Sequence, residues 1–329
     1  MPTPPFAWAC FRMGHVHAQR KTRWACHPFG RVSRDMSHPP TQTEIRAMLA
    51  DAGLRPEKRY GQHFLVDGNL MRLLVDAADL GPADTVLEVG PGVGNLTELL
   101  VERAGRVIAV EIDPAVAEVA RERLAGAENL DLLVADILAD KHTVSPKVLR
   151  LLGERSAAAR GPVKLVANLP YQAATPLVAE LVLRQPPMER LVFTVQQEVA
   201  ARLAARPATP DYGPVGVIVQ ALAQVEVLRR LSPGVFWPRP RVWSAMVRIR
   251  PQAGRRRAIR NVEVFRRTVH GLFMHRRKRA ARSLALADPA RGSPEAWAAA
   301  LRTVDLDPQA RGEAYTVDEM VRLANSLAK

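Results

Sequence analysis

An amide, a proline and an aromatic ring are grouped in Asn168-Leu169-Pro170-Tyr171. An adenine exocyclic amine is a poor nucleophile, because its lone pair is delocalised into the ring. Acceptors aimed at its N–H bonds draw that lone pair back onto nitrogen. The Asn168 side-chain oxygen and a backbone carbonyl at Leu169 or Pro170 can do this. Pro170 fixes the turn and biases Leu169 towards an extended conformation. Tyr171 offers a face on which a base can stack. No metal and no general base of shifted pKa is required if the leaving group is a neutral thioether from a sulfonium. Positioning and aimed dipoles then supply most of the rate.

A second set of residues can hold the group such a corner would act with. Glu88-Val-Gly90-Pro-Gly92-Val-Gly94 places three glycines where a strand meets a helix, so backbone can approach a ligand closely. The spacing is G-x-G-x-G, not the G-x-G-x-x-G of dinucleotide folds, which disfavours an NAD-dependent dehydrogenase. No Lys-Ser/Thr pair follows the glycines, which disfavours a triphosphate. Glu111, twenty-one residues after Gly90, ends the next strand and can accept from a ribose diol. Asp136 ends the strand after that and can accept from an adenine amino group. Gly90, Gly92, Glu111 and Asp136 together predict a nucleoside pocket beside Asn168.

The elements that must position these residues are legible as alternating strands and helices. Strands are expected at residues 85–90, 106–112, 130–134, 163–167 and 191–195, with a last pair at 225–231 and 245–249. Helices are expected at 43–52, 69–79, 95–103, 114–125, 175–184 and 197–205. Near-continuous apolar strands of this kind belong to a parallel sheet covered on both faces, a doubly wound α/β fold. Residues 139–161 carry no assignable pattern. After Pro251 strand signals fade, and 252–329 reads as a small all-α domain with a capping box, Thr316-Val-Asp-Glu319, opening the last helix. Residues 41–251 read as the α/β domain. Residues 1–40 read as a disordered extension, acid-free before Asp35 and broken by prolines; a transit peptide or a start at Met36 are the other readings.

Composition narrows the partners. The chain has 329 residues, 47 Lys+Arg and 33 Asp+Glu, a formal net charge of +14. From Arg250 to Arg282 there are twelve cations, eleven of them Arg, against the one acid Glu263. Arg matches phosphate as a planar fork, so Arg255, Arg256, Arg276, Arg277 and Lys278 are candidates for binding a polyanion, which the resemblance described next makes RNA. No apolar run approaches the roughly 18 residues of a membrane span. Two cysteines, Cys10 and Cys26, make neither a disulfide framework nor a Cys-rich zinc fold, and no cluster has zinc spacing, so no metal is expected. A cytoplasmic monomer is the expectation.

Seven motifs in order carry a family resemblance. They are Tyr60-Gly-Gln-His-Phe-Leu-Val-Asp67, Glu88-Val-Gly-Pro-Gly-Val-Gly-Asn-Leu-Thr97, Val110-Glu-Ile-Asp113, Asn168-Leu-Pro-Tyr-Gln-Ala-Ala-Thr-Pro-Leu177, Gln196-Gln-Glu-Val199, Tyr212-Gly213 and Pro238-Arg-Pro-Arg-Val242. The chain resembles the KsgA-type ribosomal RNA adenine dimethyltransferases over about residues 55–250, and more weakly over Phe273 to Leu284. The resemblance implies a Rossmann-like S-adenosylmethionine-dependent methyltransferase domain. Its implied substrate is a pair of adjacent adenosines near the 3′ end of small-subunit rRNA, in an assembling small ribosomal subunit. It implies S-adenosylmethionine as donor, His63 and Leu65 over it, and Gly90, Glu111, Asp136 and Asn168 lining its site. It also implies that Phe193 flanks the flipped adenine opposite Tyr171.

Three features depart from the family pattern. Gln172 stands where Asn is usual, Trp243 stands where Asp is usual before Ser244, and the segment before Thr41 is extra. Two related readings compete: a nucleic-acid-binding protein like the mitochondrial transcription factors, and a large-subunit rRNA methylase conferring antibiotic resistance. The intact Asn168-Leu-Pro-Tyr171 argues against the first, and the matches at Tyr212 and Pro238 against the second.

Overall fold

A computed structural model describes residues 39–140, 143–184 and 188–328. The extension expected over residues 1–40 lies outside the described residues, apart from Pro39 and Pro40. Side-chain caps set the first helices. Thr41 and Glu44 form a capping box that opens α1 (Gln42–Asp51). After the two-residue β1 (Phe64–Leu65), Asp67 accepts from the N–H groups of Asn69 and Leu70 and starts α2 (Gly68–Ala78).

Strand and helix then alternate: β2 (Thr85–Val89), α3 (Asn95–Val101), β3 (Arg106–Glu111), α4 (Pro114–Arg123) and β4 (Leu130–Val134). Next come α5 (Pro146–Ala159), β5 (Val163–Asn168), α6 (Tyr171–Leu183), β6 (Arg190–Gln196), α7 (Gln197–Leu203) and α8 (Pro214–Leu222). The strands β7 (Ala223–Leu231), β8 (Phe236–Trp237) and β9 (Ser244–Pro251) complete the sheets. Helices α9 (Ala253–Ala258), α10 (Val262–Met274), α11 (Ala280–Ala287), α12 (Pro294–Arg302) and α13 (Val317–Leu327) end the chain.

The main sheet has the order β4-β3-β2-β5-β6-β9-β7. Its first five strands are parallel, and β9 runs antiparallel between β6 and β7. The chain steps outward from β2 to β4, then returns to β5 on the other side of β2. That reversal brings the carboxyl ends of β2 and β5 side by side, the place where doubly wound sheets bind ligands. Because β9 is antiparallel, its first residue, Ser244, lies at the same edge. The small sheet of β1 and β8 pairs Phe64 with Trp237 and Leu65 with Phe236, tying the 60–67 segment to the approach to β9.

Alternation along the strands sorts side chains between two cores. Leu165, Ala167, Leu191, Phe193 and Val195 belong to one, while Val166 and Val192 belong to the other, packed with α2 and α3. The first core continues without a break into Phe265, Val269 and Leu272 of α10 and Met320 and Leu323 of α13. Among the described residues no helix is long and apolar enough to cross a membrane.

Candidate active site

The corner after β5 is held by three hydrogen bonds. Asn168 Nδ2 donates to the His63 carbonyl at 2.7 Å. A carbonyl only accepts, so the atom facing His63 is the amide nitrogen and Oδ1 turns to Thr194, whose hydroxyl donates to it. Oδ1 keeps a second lone pair. The Pro170 carbonyl accepts from the Ala173 N–H at 3.1 Å as α6 begins, so one of its two lone pairs is taken by the helix. Among the described residues no donor reaches the Leu169 carbonyl. Asn168 Oδ1, with a lone pair to spare, and Leu169 O, with no donor on it, are therefore the acceptors this corner offers most openly.

Tyr171, the first residue of α6, is fixed at both ends. Its hydroxyl lies 2.7 Å from Ser244 Oγ, and its ring centroid lies 5.5 Å from that of His63 with planes tilted by 32°. Burial raises the Tyr171 phenol above its ordinary pKa, partly offset by the Ser244 bond, so it stays neutral. His63 Nδ1 lies 2.6 Å from the Pro238 carbonyl, so Nδ1 carries the proton. Thr194 and Ser244 were not among the residues singled out from sequence. Their signal was a polar residue in an otherwise apolar strand, and one opening the strand that follows Trp243.

A cavity of about 260 Å³ joins this corner to the glycine turn. Its lining includes His63, Leu65, Gly90, Gly92, Glu111, Asp136, Asn168, Leu169, Pro170 and Tyr171. Gly90 has φ 72°, and a Cβ there would lie 3.0 Å from Pro170 Cγ, so the glycine turn packs directly on the reactive corner. The Gly92 N–H donates to Glu111 Oε2 at 3.0 Å, and Glu111 Oε1 accepts from the N–H groups of Ile112 and Asp113 at 2.9 and 3.1 Å. Burial pushes the Glu111 carboxyl up and these three donors pull it back. Asp136 Oδ1 accepts from the Leu138 N–H at 2.9 Å.

Glu88 is the buried acid that the reading of the glycine motif did not single out. It is 1% exposed, lines the cavity and has an oxygen without a hydrogen-bond partner. Desolvation pushes its carboxyl up to about 8, with the Glu111 charge adding to it. The Thr97 hydroxyl pulls the other way, although neither it nor Glu88 Oε2 makes a hydrogen bond of normal geometry. Three acids, Glu88, Glu111 and Asp136, line the pocket against one cation, Arg59, which is itself paired with Glu57, and this balance suits a cationic ligand. Gln172, an exposed residue, also lines the cavity. Among the described residues no group of three or more His, Cys, Asp or Glu could hold a metal ion.

Phe193 requires a correction. It was expected to flank a base opposite Tyr171, yet it is fully buried and absent from the cavity lining. The reason is the period of two along β6. Thr194 faces Asn168 across the sheet, so its neighbour Phe193 projects to the opposite face, among Leu191 and Val195 of the core. Truncating Phe193 to Ala would cost about 3–5 kcal/mol of folding stability without removing a stacking surface.

The basic candidates divide into two kinds. Arg255 Nη1 donates to the carbonyls of Gln220 and Ala223, and Arg276 bonds Glu313 and the Thr209 carbonyl. Arg255 thus ties α9 to the end of α8 and the start of β7, and Arg276 ties the end of α10 to the segments at Thr209 and Glu313. Arg256 is half-buried, whereas Arg277 and Lys278 are exposed.

Comparison with known proteins gives a consistent family. A family model described as ribosomal RNA adenine dimethylase matches residues 53–329. The chain is 42% identical over 270 residues to the ribosomal RNA small subunit methyltransferase A of Rubrobacter xylanophilus, covering 82% of this chain and 94% of that one. It is 39% identical over 286 residues to the protein of the same description from Pelotomaculum thermopropionicum, covering 86% and 95%. Among solved structures, a dimethyladenosine transferase from Plasmodium falciparum matches with a TM-score of 0.66 at 21% identity, covering 79% of this chain and 96% of that one. The 23S rRNA methyltransferase ErmE matches with a TM-score of 0.57 at 27% identity, covering 81% and 100%.

Proposed function

This chain belongs to the ribosomal RNA adenine dimethylase family, and on that premise we propose that it dimethylates N6 of two adjacent adenosines near the 3′ end of small-subunit (16S) rRNA. The donor is S-adenosylmethionine, which when bound supplies an electrophilic methyl on a sulfonium with a neutral thioether as leaving group. The acidic, glycine-lined cavity fits that cation, with Glu111 and Asp136 for its nucleoside and the orphaned Glu88 carboxyl for its positive charge. The observation that carries the reading is the pair of free acceptors, Asn168 Oδ1 and Leu169 O, at the edge of the same cavity.

Those acceptors hold the target amine by its N–H groups and return its lone pair to nitrogen. His63 and Thr194 keep the Asn168 amide from rotating, so little reorganisation is left for the transition state. Tyr171, anchored by Ser244, stacks the extruded base. Leaving the RNA stack costs a few kcal/mol, least in a loop. Exposed cations of residues 252–329, Arg277 and Lys278 among them, offset this by pairing with phosphates. The partner is small-subunit rRNA in an assembling particle, met by a monomer in the cytoplasm. The direct test is tritium transfer from labelled S-adenosylmethionine to unmethylated small subunits, followed by mapping of the labelled nucleotides. Label on two adjacent adenosines near the 3′ end is expected; label confined to large-subunit RNA, or none, overturns the reading.

Two further results are expected. The Glu88 carboxyl, at about 8 in the free protein, is largely protonated at neutral pH. Its folded value is raised above that of the unfolded chain, so its favourable effect on stability is present below pH 4.5 and is lost as pH rises towards 8. A cationic donor favours the ionised form. Donor affinity should therefore rise between pH 6 and 8, with proton release measurable by calorimetry in buffers of different ionisation enthalpy. Glu88→Gln should abolish both the pH dependence and the proton release.

Neutralising Arg277 and Lys278 should weaken RNA binding. The slope of log K against log salt should flatten by roughly 0.7–0.9 for each phosphate that the variant no longer neutralises. Identical slopes for the variant and the wild type would remove these residues from the interface.

A further inference from the structure

Trp243 is an exposed aromatic one residue before Ser244, outside the cavity lining, and the methyl-transfer chemistry leaves it unused. It is 48% exposed, and the Arg230 guanidinium lies 5.2 Å from its ring centroid. Arg230 is held in turn by Gln197, whose Oε1 accepts from Arg230 Nη2 at 3.0 Å. The Gln197 N–H donates to the Trp243 carbonyl at 2.9 Å, closing a three-residue clamp at the start of α7. The next residue, Ser244, anchors the Tyr171 hydroxyl, so the clamp and the base pocket are one peptide apart.

The surroundings select the partner. Arg229, Arg239 and Arg241 are exposed, and residues 239–243 contain no acid. A ring with a guanidinium stacked over it, in a basic strip, fits a nucleobase joined to a phosphate backbone. An acidic peptide would match the charge but has no use for an exposed indole. When one adenosine leaves its stack for Tyr171, its neighbour in the strand loses a stacking partner.

Resting on the reading of two adjacent adenosines as target, we propose that Trp243, backed by Arg230, is the platform on which the nucleotide next to the reacting one stacks. Trp243 is thus a positioning and specificity residue of the RNA site. Arg230 adds a second planar surface and a positive charge.

The test compares Trp243→Ala, Trp243→Phe and Arg230→Gln in the full chain. Three quantities are read: donor affinity, affinity for unmethylated small-subunit rRNA, and the single-turnover rate at saturating RNA. Stacking on an aromatic is expected to make Trp243→Ala bind RNA about tenfold or more weakly. Trp243→Phe should stay within about threefold and Arg230→Gln fall between them, with donor affinity and saturated rate unchanged in all three. Wild-type RNA affinity in Trp243→Ala overturns the proposal. Equal losses in the Ala and Phe variants, accompanied by lost donor affinity, overturn it in favour of a packing role. A wild-type protein that methylates no small-subunit rRNA, yet binds RNA through Trp243, overturns the proposed reaction and leaves the platform standing.

Discussion

Asn168→Ala should leave donor binding within about tenfold of the wild type while methyl transfer falls by roughly 10²-fold or more, as for loss of one aimed polar group. The asymmetry follows from what the side chain touches. Its oxygen accepts from the Thr194 hydroxyl and keeps the lone pair that the proposed reaction gives to the amine, and its nitrogen holds the His63 carbonyl. The donor pocket is built by other groups, chiefly the glycine turn, Glu111 and Glu88. An interaction made mainly in the transition state lowers the turnover number and leaves the donor affinity nearly intact. Calorimetry for the donor and single-turnover methylation separate the two quantities. Unchanged turnover would remove Asn168 from the role assigned to it. Thr194→Val should show a smaller loss of the same kind, because it loosens the amide without deleting it.

Gly92→Ala should damage both steps at once. Gly92 has φ 59°, a left-handed conformation that costs an alanine about 1–2 kcal/mol. The added Cβ would lie 2.6 Å from Phe64 Cε1, so the ring must shift. Phe64 is 8% exposed and pairs with Trp237, leaving little room to move. Overpacking of this kind costs a further 1–3 kcal/mol or so. Displacing Phe64 also disturbs its neighbour His63, whose carbonyl orients Asn168. The Gly92 N–H would leave the Glu111 carboxylate as the turn opens. Donor affinity is expected to fall about tenfold or more and methyl transfer by about 10²-fold, with a melting temperature lower by roughly 5 °C or more. Gly92→Ala with normal donor affinity would show that the turn is not part of the donor pocket.

The central strands β2, β3, β5 and β6 were legible because each is a short apolar run bounded by turn residues and buried nearly end to end; the outer strands β4 and β7 are far less buried. The site was legible where chemistry requires a residue type at a strand end: the glycine turn, Glu111, Asp136 and Asn168-Leu-Pro-Tyr171 all meet at one cavity. Within residues 41–251 three helices were missed or misplaced, for separate physical reasons. Helix α5 escaped because it buries only Val148 and Leu152, too thin a stripe for a visible period, although Ser145-Pro146 marked its start. Helix α8 escaped for the opposite reason: Val217, Ile218, Val219, Ala221 and Leu222 are all buried, between the sheet and the last helices, so it has no polar face. Helix α6 was expected to begin at Thr175. It begins at Tyr171 and carries Pro176 inside it, which a sequence rule takes as a helix boundary. Phe193 was misplaced by a single residue of strand register. Thr194 and Ser244 act by holding other side chains, a role that residue type alone does not announce.

On the proposed mechanism, Asn168 Oδ1 and Leu169 O make an adenine N6 amine reactive towards a methyl on sulfur. A crystal structure of the protein with an unreactive donor analogue and an RNA carrying the target adenosine tests it most directly. Both acceptors should lie about 3 Å from N6, with the donor's methyl-bearing position on the cavity side of the same nitrogen. An adenine bound elsewhere, or a corner turned away from the donor, would contradict it.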